Sequence, residues 1–135
     1  MKRGFTILEL LVVVAIIAVL LSATAIVMSS SRAKSRDATR MAELRQIQNA
    51  LNLYFTANNA FPVFATETTI TGDDAFSLAL ENAGTIDEVP TDPNHPATPY
   101  TYQSNAEGTT YILSFCLETD TIAGFSQGCG NTLTP

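Results

Sequence analysis

The stretch from Phe5 to Met28 (FTILELLVVVAIIAVLLSATAIVM) runs for 24 residues with a single charge, Glu9. As an α-helix at about 1.5 Å per residue it reaches roughly 36 Å, enough to cross a hydrocarbon core of about 30 Å. Three readings compete. A cleaved secretory signal explains the basic start, Lys2-Arg3, and Ala23-Thr24-Ala25 as a small-residue cleavage site. Against it, the run exceeds the roughly 7–15 apolar residues of such signals and holds a carboxylate. A plain membrane anchor fits the length but leaves Glu9 unexplained, because an acid at the centre of a membrane helix costs about 2.5–3.5 kcal/mol. The third reading makes Glu9 the informative residue. Cleavage between Gly4 and Phe5 creates an α-amino group four residues before Glu9, and in lipid a carboxylate is best accommodated by meeting a cation. A neighbouring copy of the chain would supply that amine.

Charge is distributed as unevenly as hydropathy. All seven basic residues (Lys2, Arg3, Arg32, Lys34, Arg36, Arg40, Arg45) fall in the first 45 positions, which carry a net charge of +4. Residues 46–135 hold ten acids and no Lys or Arg, a net charge of −10. Phosphate neutralisation supplies most nucleic-acid affinity, so this acidic part is not a DNA or RNA ligand.

No Gly or Pro interrupts residues 5–61. Beyond the apolar run, Met41, Leu44, Ile47, Leu51, Tyr54 and Phe55 recur at steps of three and four, with Arg36, Arg40, Glu43, Gln46 and Asn49 between them. This periodicity predicts one helix from about Phe5 to about Ala57, whose second half packs one apolar stripe on a C-terminal domain. Ser29-Ser30-Ser31 separates the two halves and is expected to mark the exit from lipid. Asn58-Asn59-Ala60-Phe61-Pro62 ends the helix, and Thr66–Thr71 reads as a connector. Asp73–Ala83 reads as a short helix capped by Asp73 or Thr71, with Gly84 in the C′ position. A proline-rich loop follows from Val89 to Pro99. Two β-like runs, 99–103 and 109–117, flank the turn signal Asn105-Ala106-Glu107-Gly108, and 121–125 is a candidate third strand.

The leader Met1-Lys2-Arg3-Gly4, then Phe5-Thr6-Ile7-Leu8-Glu9 and a long Leu/Val/Ile run, resembles the class III prepilin signal of type IV pilins and type II secretion pseudopilins. The resemblance implies cleavage after Gly4 by a prepilin peptidase at the cytoplasmic face and N-methylation of Phe5. It also implies that Glu9 pairs with the amino group of Phe5 on a neighbour. VPTDP (89–93), PYTY (99–102) and a strand ending Leu117-Glu118 resemble the small β-region of minimal pilins and G-type pseudopilins. The expected fold is α+β, a long N-terminal helix packed on a small antiparallel sheet. The expected parts are a leader (1–4), a membrane and filament-core helix (5–28), its amphipathic continuation (29–58) and an acidic globular domain (59–135). Many family members carry a proline near the position of Ile26; this chain does not, so no proline-dependent kink is carried over.

The function implied is that of a non-enzymatic subunit, held in the inner membrane as a single-pass precursor. With an assembly platform it polymerises as a homo-oligomer into a type IV pilus-like filament at the cell surface or in the periplasm. The alternatives are a type II secretion pseudopilin and, outside the family, a membrane-anchored binding domain that never polymerises. Simple positive-inside counting disagrees with the orientation, because Arg32, Lys34, Arg36 and Arg40 outnumber Lys2 and Arg3. The peptidase's location and the export wanted by the cysteines argue the other way.

Cys116 and Cys129 enclose twelve residues. In an exported chain an even count of two reads as one disulfide, worth about 3 kcal/mol for a loop of this size. Zinc is the rival, but no second pair exists and His95 is distant. No cofactor is expected. Calcium, which G-type pseudopilins bind in their β-region loops, is the sharper alternative, but the dense Asp-Gly loop pattern is missing. His95 reads as a solvated turn histidine. Asp73-Asp74, Asp87-Glu88 and Glu118-Thr119-Asp120 read as a solvated acidic surface, there being no partner base or nucleophile. The basic residues from Arg32 to Arg45 read as a collar between an apolar stalk and an acidic head, facing the heads of other subunits.

Overall fold

A helix without Gly or Pro persists until something satisfies its last carbonyls, and here that is Asn59. The computed structural model describes residues 6–135, the side chains of 23–27 excepted. Helix α1 spans Ile7–Asn58, 52 residues. It runs through Ser29-Ser30-Ser31 without a break, so the serines do not interrupt it. Asn59 then takes the left-handed conformation (φ 57°) and donates its N–H to Phe55 O at 2.7 Å. Asparagine tolerates that conformation because its short polar side chain compensates locally.

The chain divides into two units, Met1–Ala33 and Lys34–Pro135. In the first, the described apolar side chains of α1 are exposed, Ile7 at 85% and Leu8 at 73%. Among the described residues no helix is long and apolar enough to cross a membrane. Phe5 and the side chains of 23–27, which belong to the span expected over 5–28, lie outside the described residues.

The second unit is built on four further strands and a helix: β1 (Thr68–Thr69), α2 (Ala75–Asn82), β2 (Thr101–Ser104), β3 (Tyr111–Leu117) and β4 (Gly128–Leu133). The strands form one antiparallel sheet in the order β1-β2-β3-β4, which with α1 gives the α+β arrangement expected of a pilin fold. Period-two alternation turns Tyr111, Leu113, Phe115 and Leu117 of β3 inward, together with Tyr102 of β2. Opposite them Leu44, Ile47, Ala50 and Leu51 of α1 are buried in the same cluster, with Met41 and Tyr54 at its edge. Phe55, expected on this stripe, lies outside the buried cluster, 39% exposed, and packs its ring 4.7 Å from Phe61. Phe76 and Leu80 of α2 complete the core, Phe76 stacking on Tyr102 at 4.2 Å.

The β-hairpin turn depends on Gly108. Its φ is +63°, and a Cβ there would lie 2.8 Å from Phe61 O. The same approach lets Gly108 O accept the Phe61 N–H at 2.8 Å, joining the hairpin to the end of α1.

Three expectations are corrected. The second helix is capped by Asp74, whose carboxylate accepts from the N–H groups of Phe76 and Ser77, rather than by Asp73 or Thr71. Its far end is as expected: Gly84 (φ +68°) donates to Glu81 O and Thr85 to Leu80 O, closing a Schellman motif. The Thr-rich connector contains β1, which pairs Thr68 with Tyr102 and Thr69 with Thr101. Finally, 121–125 is no strand: Phe125 N–H turns back to Ile122 O and Gly124 has φ +88°. The strand beside β3 is β4, whose sequence Gly-Cys-Gly-Asn-Thr-Leu has poor strand propensity and is fastened by Cys129.

Candidate functional site

Gly4 and Phe5, the expected processing residues, lie outside the described residues. Glu9 lies within them, and its local role is clear. Thr6 precedes α1 and its C=O accepts the Leu10 N–H at 3.3 Å. The Thr6 N–H and hydroxyl both donate to Glu9 Oε2 at 2.9 Å, and the Thr6 hydroxyl oxygen accepts the Glu9 N–H at 3.3 Å. This is a capping box, Thr-x-x-Glu, in which donors left over at the helix start are satisfied reciprocally. The Thr-x-x-Glu spacing that forms it stands in the sequence at the start of the apolar run. Around it Ile7, Leu8, Leu10, Leu11, Val12 and Val13 are exposed.

The second unit opens with a buried ion cluster that sequence reasoning missed. Arg40 was read as part of the polar face of α1; it is fully buried, as is Asp37. Arg40 Nε donates to Asp92 Oδ2 at 2.6 Å, and its Nη1 to Asp37 Oδ1 and Glu118 Oε1 at 2.8 Å each. Arg36 forms the outer clasp, its Nε donating to Glu118 Oε1 at 2.8 Å and its Nη2 paired with Glu118 Oε2. Asp37 also accepts the backbone N–H groups of Glu118 and Thr119 and the Thr119 hydroxyl. Asn94 N–H and the Thr98 hydroxyl hold Asp92, and Asn94 Nδ2 reaches Glu118. Among the described residues no buried side-chain polar atom lacks a partner.

The electrostatics follow from this geometry. The Arg36 guanidinium, helped by Arg40 against partial burial, holds the Glu118 carboxyl down at about 2. Burial pushes Asp37 up, but the Glu118 N–H, the Thr119 hydroxyl and Arg40 outweigh it and hold it below the usual carboxylate range. Burial opposes charge on Arg40 as well, and Asp92 and Glu118 overcome it. Beside the cluster, burial raises Glu43 although the Tyr100 hydroxyl donates to it at 2.6 Å.

The cluster revises two expectations. Glu118 is not part of a solvated acidic surface, and Arg36 and Arg40 are not free members of a basic collar. A signal was present: Asp37, Arg40, Leu44, Ile47 and Leu51 follow steps of three, four, three and four, so both charges continue the buried stripe. A charge on such a stripe survives only if paired.

Cys116 and Cys129 form a disulfide, as expected. His95 is exposed in the proline-rich loop, before a cis peptide bond to Pro96. Asp74 is occupied as a helix cap, whereas Asp73, Asp87 and Glu88 are exposed. Among the described residues no group of three or more His, Cys, Asp or Glu is placed to hold a metal ion.

Residues 1–25 match a family model described as the prokaryotic N-terminal methylation motif. No curated protein and no solved structure matches the chain.

Proposed function

We propose that this chain is a filament subunit made as a type IV pilin-like prepilin and matured by removal of Met1–Gly4 and N-methylation of Phe5. The observation that carries this reading is the methylation motif at residues 1–25. It sits on a helix whose described apolar side chains find no cover within their own unit. A class III signal suggests a membrane-anchored precursor, which a prepilin peptidase cleaves before an inner-membrane platform assembles it. In the filament the apolar helices cover one another, replacing lipid with protein. The second unit supplies no catalytic arrangement to argue from, and a structural role is typical of such proteins.

Within that class, a surface pilus is favoured over a type II secretion pseudopilus by the Cys116–Cys129 loop. A C-terminal disulfide loop resembles pilins more than G-type pseudopilins. Glu9 takes the amino group of Phe5 on a neighbour, because a subunit out of register buries an unpaired charge.

Mass spectrometry of the purified protein tests the reading. A mature chain beginning at N-methylated Phe5 is expected, and Gly4→Arg should leave the leader in place. A chain beginning at Met1 or Ile26 would overturn it. Electron microscopy then separates a polymer from an anchored binding domain that never assembles.

A further inference from the structure

The ion cluster divides the cations of the second unit into two pairs. Arg36 and Arg40 are spent on internal carboxylates, whereas Lys34 and Arg45 are exposed and join no ion pair among the described residues. Eleven residues separate them on α1, which at about 100° per residue brings both to the same helix face, about 16 Å apart. No acid stands three or four positions from Arg45, and Asp37, three from Lys34, is buried in the cluster.

The unit's acids divide in the same way. Asp37, Asp92 and Glu118 belong to the cluster, Glu43 accepts from Tyr100, Asp74 caps α2, and Glu67, Glu81, Glu107 and Asp120 accept from Thr101, Val89, Asn105 and Gln127. Asp73, Asp87 and Glu88 are exposed and make no hydrogen bond or ion pair among the described residues. With Glu81 they line one hollow of about 410 Å³ between the ends of α2 and the Val89–Thr91 segment. Residues 46–135 contain no Lys or Arg, so nothing in that part of the chain can neutralise them.

We infer that the Lys34/Arg45 face of α1 docks into the acidic hollow of a second copy of this chain. The inference rests on the filament reading above and names the contact within it. The two surfaces are different patches of one subunit, so each contact leaves one of each free. Such a heterologous contact propagates as an open filament, whereas a self-complementary patch closes into a dimer. Charge complementarity fixes which surfaces meet and disfavours like-charged pairings. Arg36 and Arg40 take no part, which narrows the collar expected from sequence to two residues in this unit.

Lys34 provides a direct test, because the chain's other lysine, Lys2, lies in the leader. A carbodiimide joins an amine only to a carboxylate already in contact with it. Processed protein beginning at Phe5, labelled with ¹⁴N and with ¹⁵N, is mixed in lipid vesicles, treated, digested and analysed by mass spectrometry. The expected result is mixed-label peptides linking Lys34 to Asp73, Glu81, Asp87 or Glu88. Their yield should fall at least about fivefold in about 0.5 M salt, where exposed charges are screened. Arg45→Glu should lower it similarly, and the triple change Asp73→Asn, Asp87→Asn, Glu88→Gln should abolish the links to those positions. Mixed-label links to other acids only, or an undiminished yield with Arg45→Glu, would overturn the contact. Filaments seen by microscopy without mixed-label links from Lys34 refute the contact alone. Links in the processed protein, where cells carrying the peptidase and the platform show no filaments by microscopy, support the contact and refute the filament reading.

Discussion

Arg40 and Asp92 lie 52 residues apart in the chain and meet with Arg40 Nε 2.6 Å from Asp92 Oδ2, both side chains fully buried. The pair ties α1 to the proline-rich loop, and through Glu118 and Asp37 the same guanidinium reaches the end of β3. Removing Arg40 strands Asp92 and Asp37 without water, whereas Arg40 without Asp92 keeps Asp37 and Glu118. Arg40→Ala should therefore cost about 3–5 kcal/mol, read as a lowered denaturant midpoint, and Asp92→Ala less. Arg40→Met with Asp92→Leu together should cost less than Arg40→Ala, because Asp92 is then not left alone and Asp37 keeps the N–H groups of Glu118 and Thr119. A double variant as damaged as Arg40→Ala would show that packing, not pairing, sets the cost.

The same cluster sets the acid response. Asp37 and Glu118 are held below their unfolded values of about 3.9 and 4.3. Groups with depressed values add stability above the unfolded pKa and lose it as pH falls through the folded one. Stability should thus be level down to about pH 5 and decline toward about 2, where Glu118 itself protonates. Glu43 has the opposite sign: burial raises it, so its contribution is fully present below about 4.3 and is lost as pH rises through its folded value. Glu43→Gln should therefore raise stability at pH 7, and Glu118→Gln should flatten the acid limb. Denaturant melts at pH 7, 4 and 2.5 (values chosen around the roughly 4 of an unfolded carboxylate) measure both.

How much of this was legible in the sequence depends on how local the cause is. Helix α1 was readable because the breakers are absent for 57 residues and the stripe Leu44-Ile47-Leu51 has helical spacing. Gly84 was readable because a Schellman turn needs a residue free to take positive φ. β4 was not, since Gly128 and Gly130 argue against a strand and only Cys129, bonded to Cys116, fixes it beside β3. The Arg40 cluster was half readable: its helical register marks it as buried, but Asp92 and Glu118 come from segments whose positions tertiary packing alone determines. Charge counting treated Arg36 and Arg40 as surface residues, because composition carries no information about which charges meet.

β4 supplies the third prediction. Four of its six residues are exposed and it lies at the sheet edge, so little apolar burial holds it. The disulfide closes a loop of 13 residues' separation. Cys116→Ser with Cys129→Ser should cost about 3 kcal/mol by the chain-entropy account. The loss should be local first: amides of 128–133 should exchange with solvent before those of β2 and β3. Uniform acceleration across the sheet would mean that β4 is integral to the core rather than pinned to it.

Glu9 carries the last prediction, because the structure gives it a second occupation. Its carboxylate accepts the Thr6 N–H and hydroxyl, whereas the proposed assembly asks it to meet the amine of Phe5 on a neighbour. Two substitutions separate these roles. Glu9→Gln keeps an oxygen for the capping box and removes the charge; Glu9→Ala removes both. Loss of capping costs about 1 kcal/mol, little for a helix of 52 residues. A buried amine without its counter-charge costs about 3–5 kcal/mol. Both variants should therefore be cleaved normally after Gly4, and both should lose more than about tenfold in filament yield, counted from sheared fractions. Wild-type yield from Glu9→Gln with failure of Glu9→Ala would assign Glu9 to the capping box alone.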